Sequence, residues 1–328
     1  MSITNETVTQ LTRHVFSIAM PTNIGLISIP DRITSSNSVY VIDSGNDSNS
    51  GKRIFDYINR AIPRARVKAI INTHSHADHC GGNAFLVEQT SCEVWASAGE
   101  AALMSQPSIE TALIWGGTPV SDIRSKFLHA DSSVATRIFK GEETIALDCA
   151  DDADEAGKQI FIKVVSLPGH YLDQCGFLIE DTDGKKVFFA GDAISGRNVI
   201  KRYWIQYLLD EAKTKESIAK IAKIKADFYV PGHGDTVREI EGLAELNMIA
   251  LLETEDLILD ELRKSKTIDE LLKAVADRNG IPMAISHYAL IGSTMRSYIS
   301  SLYESGKITY EIKDNILRWK KVPKKPAN

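Results

Sequence analysis

Residues 72–82 read NTHSHADHCGG and continue the apolar run VKAIIN of residues 67–72. His74, His76, Asp78 and His79 fall within six positions. Adjacent imidazoles repel when protonated, and a carboxylate withdrawn from water needs a partner. Neutral imidazole and carboxylate are together good ligands for zinc, with iron or manganese the alternatives. The run before the cluster is nearly continuous in Val, Ala and Ile, as expected of a strand covered on both faces. The cluster therefore sits in the loop at the C-terminal end of a buried strand, where α/β proteins place their sites. On an extended segment His74 and His76 face one way, while Asp78 and His79, one turn on, face a second point. The loop offers two ligands to each of two metal ions, and each ion needs more.

Further candidates lie at the ends of other strand-like runs: His170 in SLPGHYLD, Asp192 in FFAGDA and His233 in YVPGHGD. Five of the eight histidines are thereby used; His14, His129 and His287 have no such setting. Between these points the chain alternates strands and helices. NIGLISIP and SVYVIDSG are expected strands, GKRIFDYINRAI and NAFLVEQT helices, and CEVWAS a strand. Residues 99–140 lack one dominant period and are expected to form a helical excursion over the core, a candidate lid. QIFIKVVSLPGH, QCGFLIED and KKVFFAGDA follow as strands, the last two joined by the turn DTDGK, and KESIAKIAKIK as a helix.

The last 80 or so residues change character. LLETEDLILDELRKS, TIDELLKAVADRNG and STMRSYISSLYESGK are expected helices, the second opened by a Thr267/Glu270 capping box. KITYEIKDNILRWKKV is an expected hairpin turning at Asp314-Asn315. Helix, helix, helix, hairpin is the order of a winged-helix unit, so the expected division is residues 1–245 and 246–328.

The seven residues His74, His76, Asp78, His79, His170, Asp192 and His233 carry a resemblance to the metallo-β-lactamase-fold superfamily, whose signature is HxHxDH followed by separate His, Asp and His. The match covers about residues 14–240 and is similar to the ligand set of glyoxalase II. The resemblance implies an αββα sandwich, in the α/β class, with the site at one edge between the sheets. It implies that His74, His76 and His170 hold one metal, that Asp78, His79 and His233 hold a second, and that Asp192 bridges them. Two zinc ions per chain are the implied cofactor. Asp78 is the candidate catalytic group, able to orient the attacking water and move a proton.

Departures from particular families narrow the chemistry. β-Lactamases of this superfamily carry Cys or Ser at the position of Asp192. Acyl-homoserine lactonases place a Tyr where this chain has Ser195. The glutathione-binding segment of glyoxalase II is not recognisable. Tyr171, Trp115, Phe127 and Tyr203 are weaker candidates for a pocket wall, more at home in a core, and His287 and Tyr288 for the site's edge.

Of the 328 residues, 43 % are hydrophobic and 25 % charged, ordinary values for a soluble globular protein. No apolar run approaches the roughly 20 residues of a membrane span. The N-terminal stretch MSITNETVTQLTRHVF lacks a secretion signal. The four cysteines form no CxxC pair, so reduced thiols and a cytoplasmic location are expected. Net charge is −5, with +6 on residues 264–328 and −11 on the rest. The expected activity is hydrolysis of a small ester, thioester or lactone. The alternatives are an RNA-directed phosphodiesterase or nucleic-acid-binding protein using the basic C-terminal domain, and a mononuclear-iron enzyme similar to persulfide dioxygenases. A small molecule is the expected partner, nucleic acid a weaker one; a homodimer is a further alternative.

Overall fold

The computed structural model describes residues 7–31, 35–125, 128–148 and 158–323. Phe127, Cys149, Lys324 and Lys325 lie outside the described residues. The chain opens with β1 (Thr7–Gln10), β2 (Val15–Ala19), β3 (Ile24–Asp31) and β4 (Ser36–Ile42), an antiparallel meander. Helix α1 (Ser48–Ala61) then crosses over to β5 (Ala65–Ile71), parallel to β4. Asp47 caps α1 by accepting from Ser50 N–H at 3.0 Å, and Ile54 and Ile58 face inward. Next come α2 (Ala77–Cys80), α3 (Asn83–Thr90), β6 (Glu93–Ala96), α4 (Ala98–Ser105), α5 (Pro107–Trp115) and β7 (Arg137–Ile138). The candidate lid thus opens with two short helices, α4 and α5, and ends at β7 of the first sheet. Strands β1 to β7 form one sheet in chain order.

The second sheet comprises β8 (Thr144–Asp148), β9 (Gln159–Ser166), β10 (Cys175–Glu180) and β11 (Lys186–Gly191). After α6 (Arg197–Arg202) and α7 (Glu211–Ile221), β12 (Phe228–Pro231) joins it parallel to β11, giving the order β12-β11-β10-β9-β8. The inner faces of the two sheets interdigitate through Ile27, Ile42, Ile71, Ile162, Phe177 and Phe189, all buried. The outer face of the first sheet packs on α1 and α3 through Leu26, Val41, Ile54, Ile58 and Leu86. This is a helix–sheet–sheet–helix stack in which each layer removes an apolar face from water.

The second sheet is covered by α7 and by α8 (Glu241–Glu261), α9 (Ile268–Asn279) and α10 (Ile285–Glu304), followed by the hairpin β13 (Ile308–Lys313) and β14 (Ile316–Lys321). The expected division between residues 245 and 246 falls inside the unbroken α8. One hydrophobic cluster joins Phe188 and Tyr229 of the sheet to Ile258, Leu271, Met295 and Tyr298 of these helices. Helix α10 also starts eight residues before the expected Ser293, because Ala289 seats against Ile114 of α5 and extends the buried face upstream. Thr267 and Glu270 form the expected capping box, and Asp314 and Asn315 take the positive φ angles of a tight hairpin turn. Among the described residues no helix is long and apolar enough to cross a membrane.

Candidate metal centre

Strand β4 runs parallel to β5 in the first sheet and β11 parallel to β12 in the second, and the residues that follow β5, β11 and β12 meet at one edge of the sandwich. Loops leaving that edge carry the histidine cluster, Asp192 and His233. His170 arrives from the end of β9, antiparallel to β10 and hence aligned with β11. Gly169 precedes it at φ +132°, against the backbone of Thr214, where a side chain would collide. The single turn of α2 brings Asp78 and His79 to the site, with the His79 ring 4.0 Å from that of His74.

All seven residues expected at the site come together. His76 Nδ1 lies 3.1 Å from His74 Nε2 and 3.0 Å from His170 Nε2. His233 Nε2 lies 3.0 Å from Asp78 Oδ2, and His79 Nε2 lies 3.8 Å from the same oxygen. Asp192 stands between the two triads, with Oδ1 3.2 Å from His79 Nε2 and Oδ2 3.4 Å from His233 Nε2 and 3.7 Å from His170 Nε2. His74, His76 and His170 form one group able to hold an ion, and Asp78, His79 and His233 another. A Cβ on Gly232 would strike Asp192 Oδ1, so this glycine makes room for the Asp192 carboxylate.

The electrostatics fit a cation at each triad. Burial, reinforced by the neighbouring imidazoles, holds His74 and His76 well below the ordinary histidine range, and burial lowers His170 too. These three rings are neutral, the form in which imidazole binds a metal ion. Burial opposes protonation of His79, but the Asp192, Asp78 and Asp43 carboxylates push it up to about 10. Asp192, outweighing burial and joined by Asp78, takes His233 to about 12. Burial raises Asp78, yet the two imidazoles beside it prevail and keep it well below the carboxylate range. Protons on His79 and His233 thus offset the clustered carboxylates where a metal ion would. Meanwhile His79 Nε2 and Asp192 Oδ1 are buried with no hydrogen-bond partner, although they face each other. A coordinated ion satisfies both.

Behind the ligands lies a layer of groups that the sequence reading missed. Asp43, left-handed at φ +59° just after β4, accepts from Thr73 N–H and Thr73 Oγ1, each at 2.8 Å. It also receives His79 Nδ1 at 2.8 Å, and Thr73 Oγ1 lies 3.0 Å from His74 Nδ1. One carboxylate therefore orients a ring in each triad. Glu100, buried on α4, accepts from Ser75 N–H at 2.9 Å, Ser75 Oγ at 2.7 Å and Asp173 N–H at 2.8 Å, tying the histidine loop to the segment after His170. The readable signal for Asp43 was its place at the end of the strand-like run SVYVIDSG. Glu100 left none, since it sits in a stretch without periodicity.

The weaker candidates divide. Tyr171 is fully buried with its ring 4.2 Å from that of His76, and Trp115 packs against the cluster that includes Ile114 and Ala289. Tyr203 is exposed. Cys80 is buried and donates to Ser75 C=O. His287 and Tyr288 engage Pro282 and Asp269.

Comparison with known proteins bears on this geometry. The model of the metallo-beta-lactamase superfamily matches residues 19–233. A beta-lactamase domain protein from Burkholderia ambifaria is 17 % identical with a TM-score of 0.68, over 96 % of this chain and 95 % of that one. A metallo-beta-lactamase family protein from Thermus thermophilus is 17 % identical with a TM-score of 0.66, over 95 % of this chain and 100 % of that one. MEM-A1, a subclass B3 metallo-beta-lactamase from a soil metagenome library, is 18 % identical with a TM-score of 0.55, over 75 % of this chain and 94 % of that one. At such identities these structures speak to the fold alone. No curated protein sequence matches the chain. With the family match spanning most of the chain and the histidine-rich groups able to hold metal, the protein belongs to the metallo-beta-lactamase superfamily and is a metal-dependent hydrolase.

Proposed function

We propose that the chain holds two zinc ions through His74, His76, His170 and through Asp78, His79, His233, shares Asp192 between them, and hydrolyses a small ester, thioester or lactone. The observation that carries this reading is the split of Asp192, one oxygen toward His79 and the other toward His170 and His233. Zinc bound there would supply a nucleophile from water at neutral pH and draw charge from the attacked carbonyl. Asp78 is the proton-handling group. Its side chain is 28 % exposed against 11 % for Asp192, so it reaches the open side of the site. Thr22 Oγ1 donates to it at 3.3 Å and fixes the carboxylate's direction. A small cavity beside His170 and Asp192 is lined by Trp204, Leu208, Ile218 and Leu251 together with Gln206 and Thr214.

A phosphate-binding reading of the C-terminal unit finds less support. Lys307 pairs with Glu255, Arg318 with Glu270 at 2.7 Å, Arg278 with Glu261 at 3.1 Å and Lys273 with Asp277. Cations spent on neighbouring carboxylates are poor grips for a polyanion. Zinc-loaded protein screened against esters, thioesters, lactones, phosphodiesters and RNA tests the assignment. Turnover of a carbonyl substrate that is lost in Asp192→Ala is expected. Cleavage of RNA alone, with binding that falls steeply as salt rises, would overturn it.

A further inference from the structure

A neutral imidazole that binds metal through one nitrogen carries its proton on the other, and that N–H needs an acceptor when buried. Four of the five histidines face the site with Nε2, and each has a partner at Nδ1. Thr73 Oγ1 serves His74, Asp43 serves His79 at 2.8 Å, Tyr207 C=O serves His170 at 3.0 Å and Pro21 C=O serves His233 at 2.7 Å. His76 is the exception. It presents Nδ1 to His74 and His170, which leaves the proton on Nε2, and that nitrogen is buried without a hydrogen-bond partner.

The carboxylate facing it is Glu110, with Oε1 3.9 Å from His76 Nε2. Glu110 is itself 2 % exposed and projects from α5, which packs on α10. A buried carboxyl group beside Ile114 on a helix that packs against α10 costs desolvation that a leucine there would not. We propose that Glu110 is the positioning residue for His76, accepting its Nε2–H once Nδ1 binds metal. The inference rests on the metal reading of the seven residues. A closing movement of about 1 Å brings the pair into hydrogen-bond range. The pairing fixes the ring's rotation and tautomer and raises the basicity of Nδ1, so that the candidate lid acts as the outer layer of the first triad.

The test measures zinc affinity by chelator competition and, in zinc-loaded protein labelled with nitrogen-15 at histidine, the His76 Nε2–H proton resonance. Glu110→Ala should weaken zinc binding at the first triad about 10–100-fold, and its Nε2–H should shift and exchange faster with water. Glu110→Gln, which keeps the shape and one acceptor, should recover part of both and guards against misfolding of the alanine variant. Tyr171→Phe, removing the hydroxyl of the ring that packs 4.2 Å from that of His76, should leave the resonance in place. Wild-type affinity and an unmoved resonance in both Glu110 variants would overturn the assignment. So would loss of the resonance in Tyr171→Phe with Glu110→Ala unaffected. Wild-type protein that takes up no zinc would sink the metal reading and Glu110's part with it, an outcome distinct from normal uptake with indifferent variants.

Discussion

The sandwich contains two nearly identical carboxylate cradles at opposite ends. At the metal edge Asp43 holds Thr73 Oγ1, Thr73 N–H and His79 Nδ1. At the far end Asp181, just after β10, holds Thr12 Oγ1 at 2.5 Å, His14 N–H at 2.8 Å and His14 Nδ1 at 2.7 Å. Both carboxylates and both rings are buried. The difference is what the imidazole's other nitrogen meets. His79 turns Nε2 on Asp192 and Asp78, whereas His14 belongs to no metal-holding group among the described residues. A buried Thr–His–Asp cluster is therefore no sign of chemistry in itself. Asp181 staples the first sheet's β1–β2 turn to the second sheet; Asp43 aims a candidate ligand.

Removing what His79 faces should have the largest effect. Asp192→Ala would leave the Asp43 cradle as structural as its counterpart, with zinc content falling from near two per chain and turnover dropping by more than the roughly 100-fold typical of outer-layer losses. Elemental analysis and kinetics on the same preparation check this. Asp43→Asn should cost about 10–100-fold in zinc affinity, because it loosens His79 directly and His74 through Thr73. Asp181→Asn should leave zinc affinity unchanged and lower stability by on the order of 2 kcal/mol, read from the denaturant midpoint. A loss of zinc in the Asp181 variant would erase the distinction between the cradles.

The far cradle also makes a pH prediction. Burial pushes the Asp181 carboxyl up, but the donors from His14, Thr12 and the Thr182 backbone outweigh it and hold it at about 2. Its ordinary value is about 3.9. A carboxyl lowered on folding contributes stability that is present above the ordinary value and is lost as pH falls through the folded value. Wild-type stability should therefore drop more steeply between about pH 4 and pH 2 than that of Asp181→Asn. Smallest of all is the solvated pair Lys52–Asp56 on α1, where Lys52→Ala should change stability by less than about 0.5 kcal/mol.

The candidate ligands were legible because four crowd into six positions after an apolar strand and the other three each follow a glycine at or just beyond a strand end, and strand ends converge by topology. What stood behind them was not. Asp43 is one acid among many after strands, and only the fold brings it to His79. Glu100 and Glu110 lie in short helices whose apolar residues share no period, because those helices pack against α10 and the metal loop in different directions. The start of α10 was hidden for a related reason: Ala289 is buried by a partner far away in sequence. The capping box and the Asp314-Asn315 turn, by contrast, are local chemistry and read true.

The central claim is that seven side chains from separate stretches of the chain hold two metal ions sharing one carboxylate. Anomalous diffraction at the zinc edge from crystals of zinc-loaded protein addresses it directly. The expected map has two peaks, one among His74, His76 and His170, the other among Asp78, His79 and His233, with Asp192 between them. A single peak outside these residues, or no peak from protein grown in excess zinc, would contradict it.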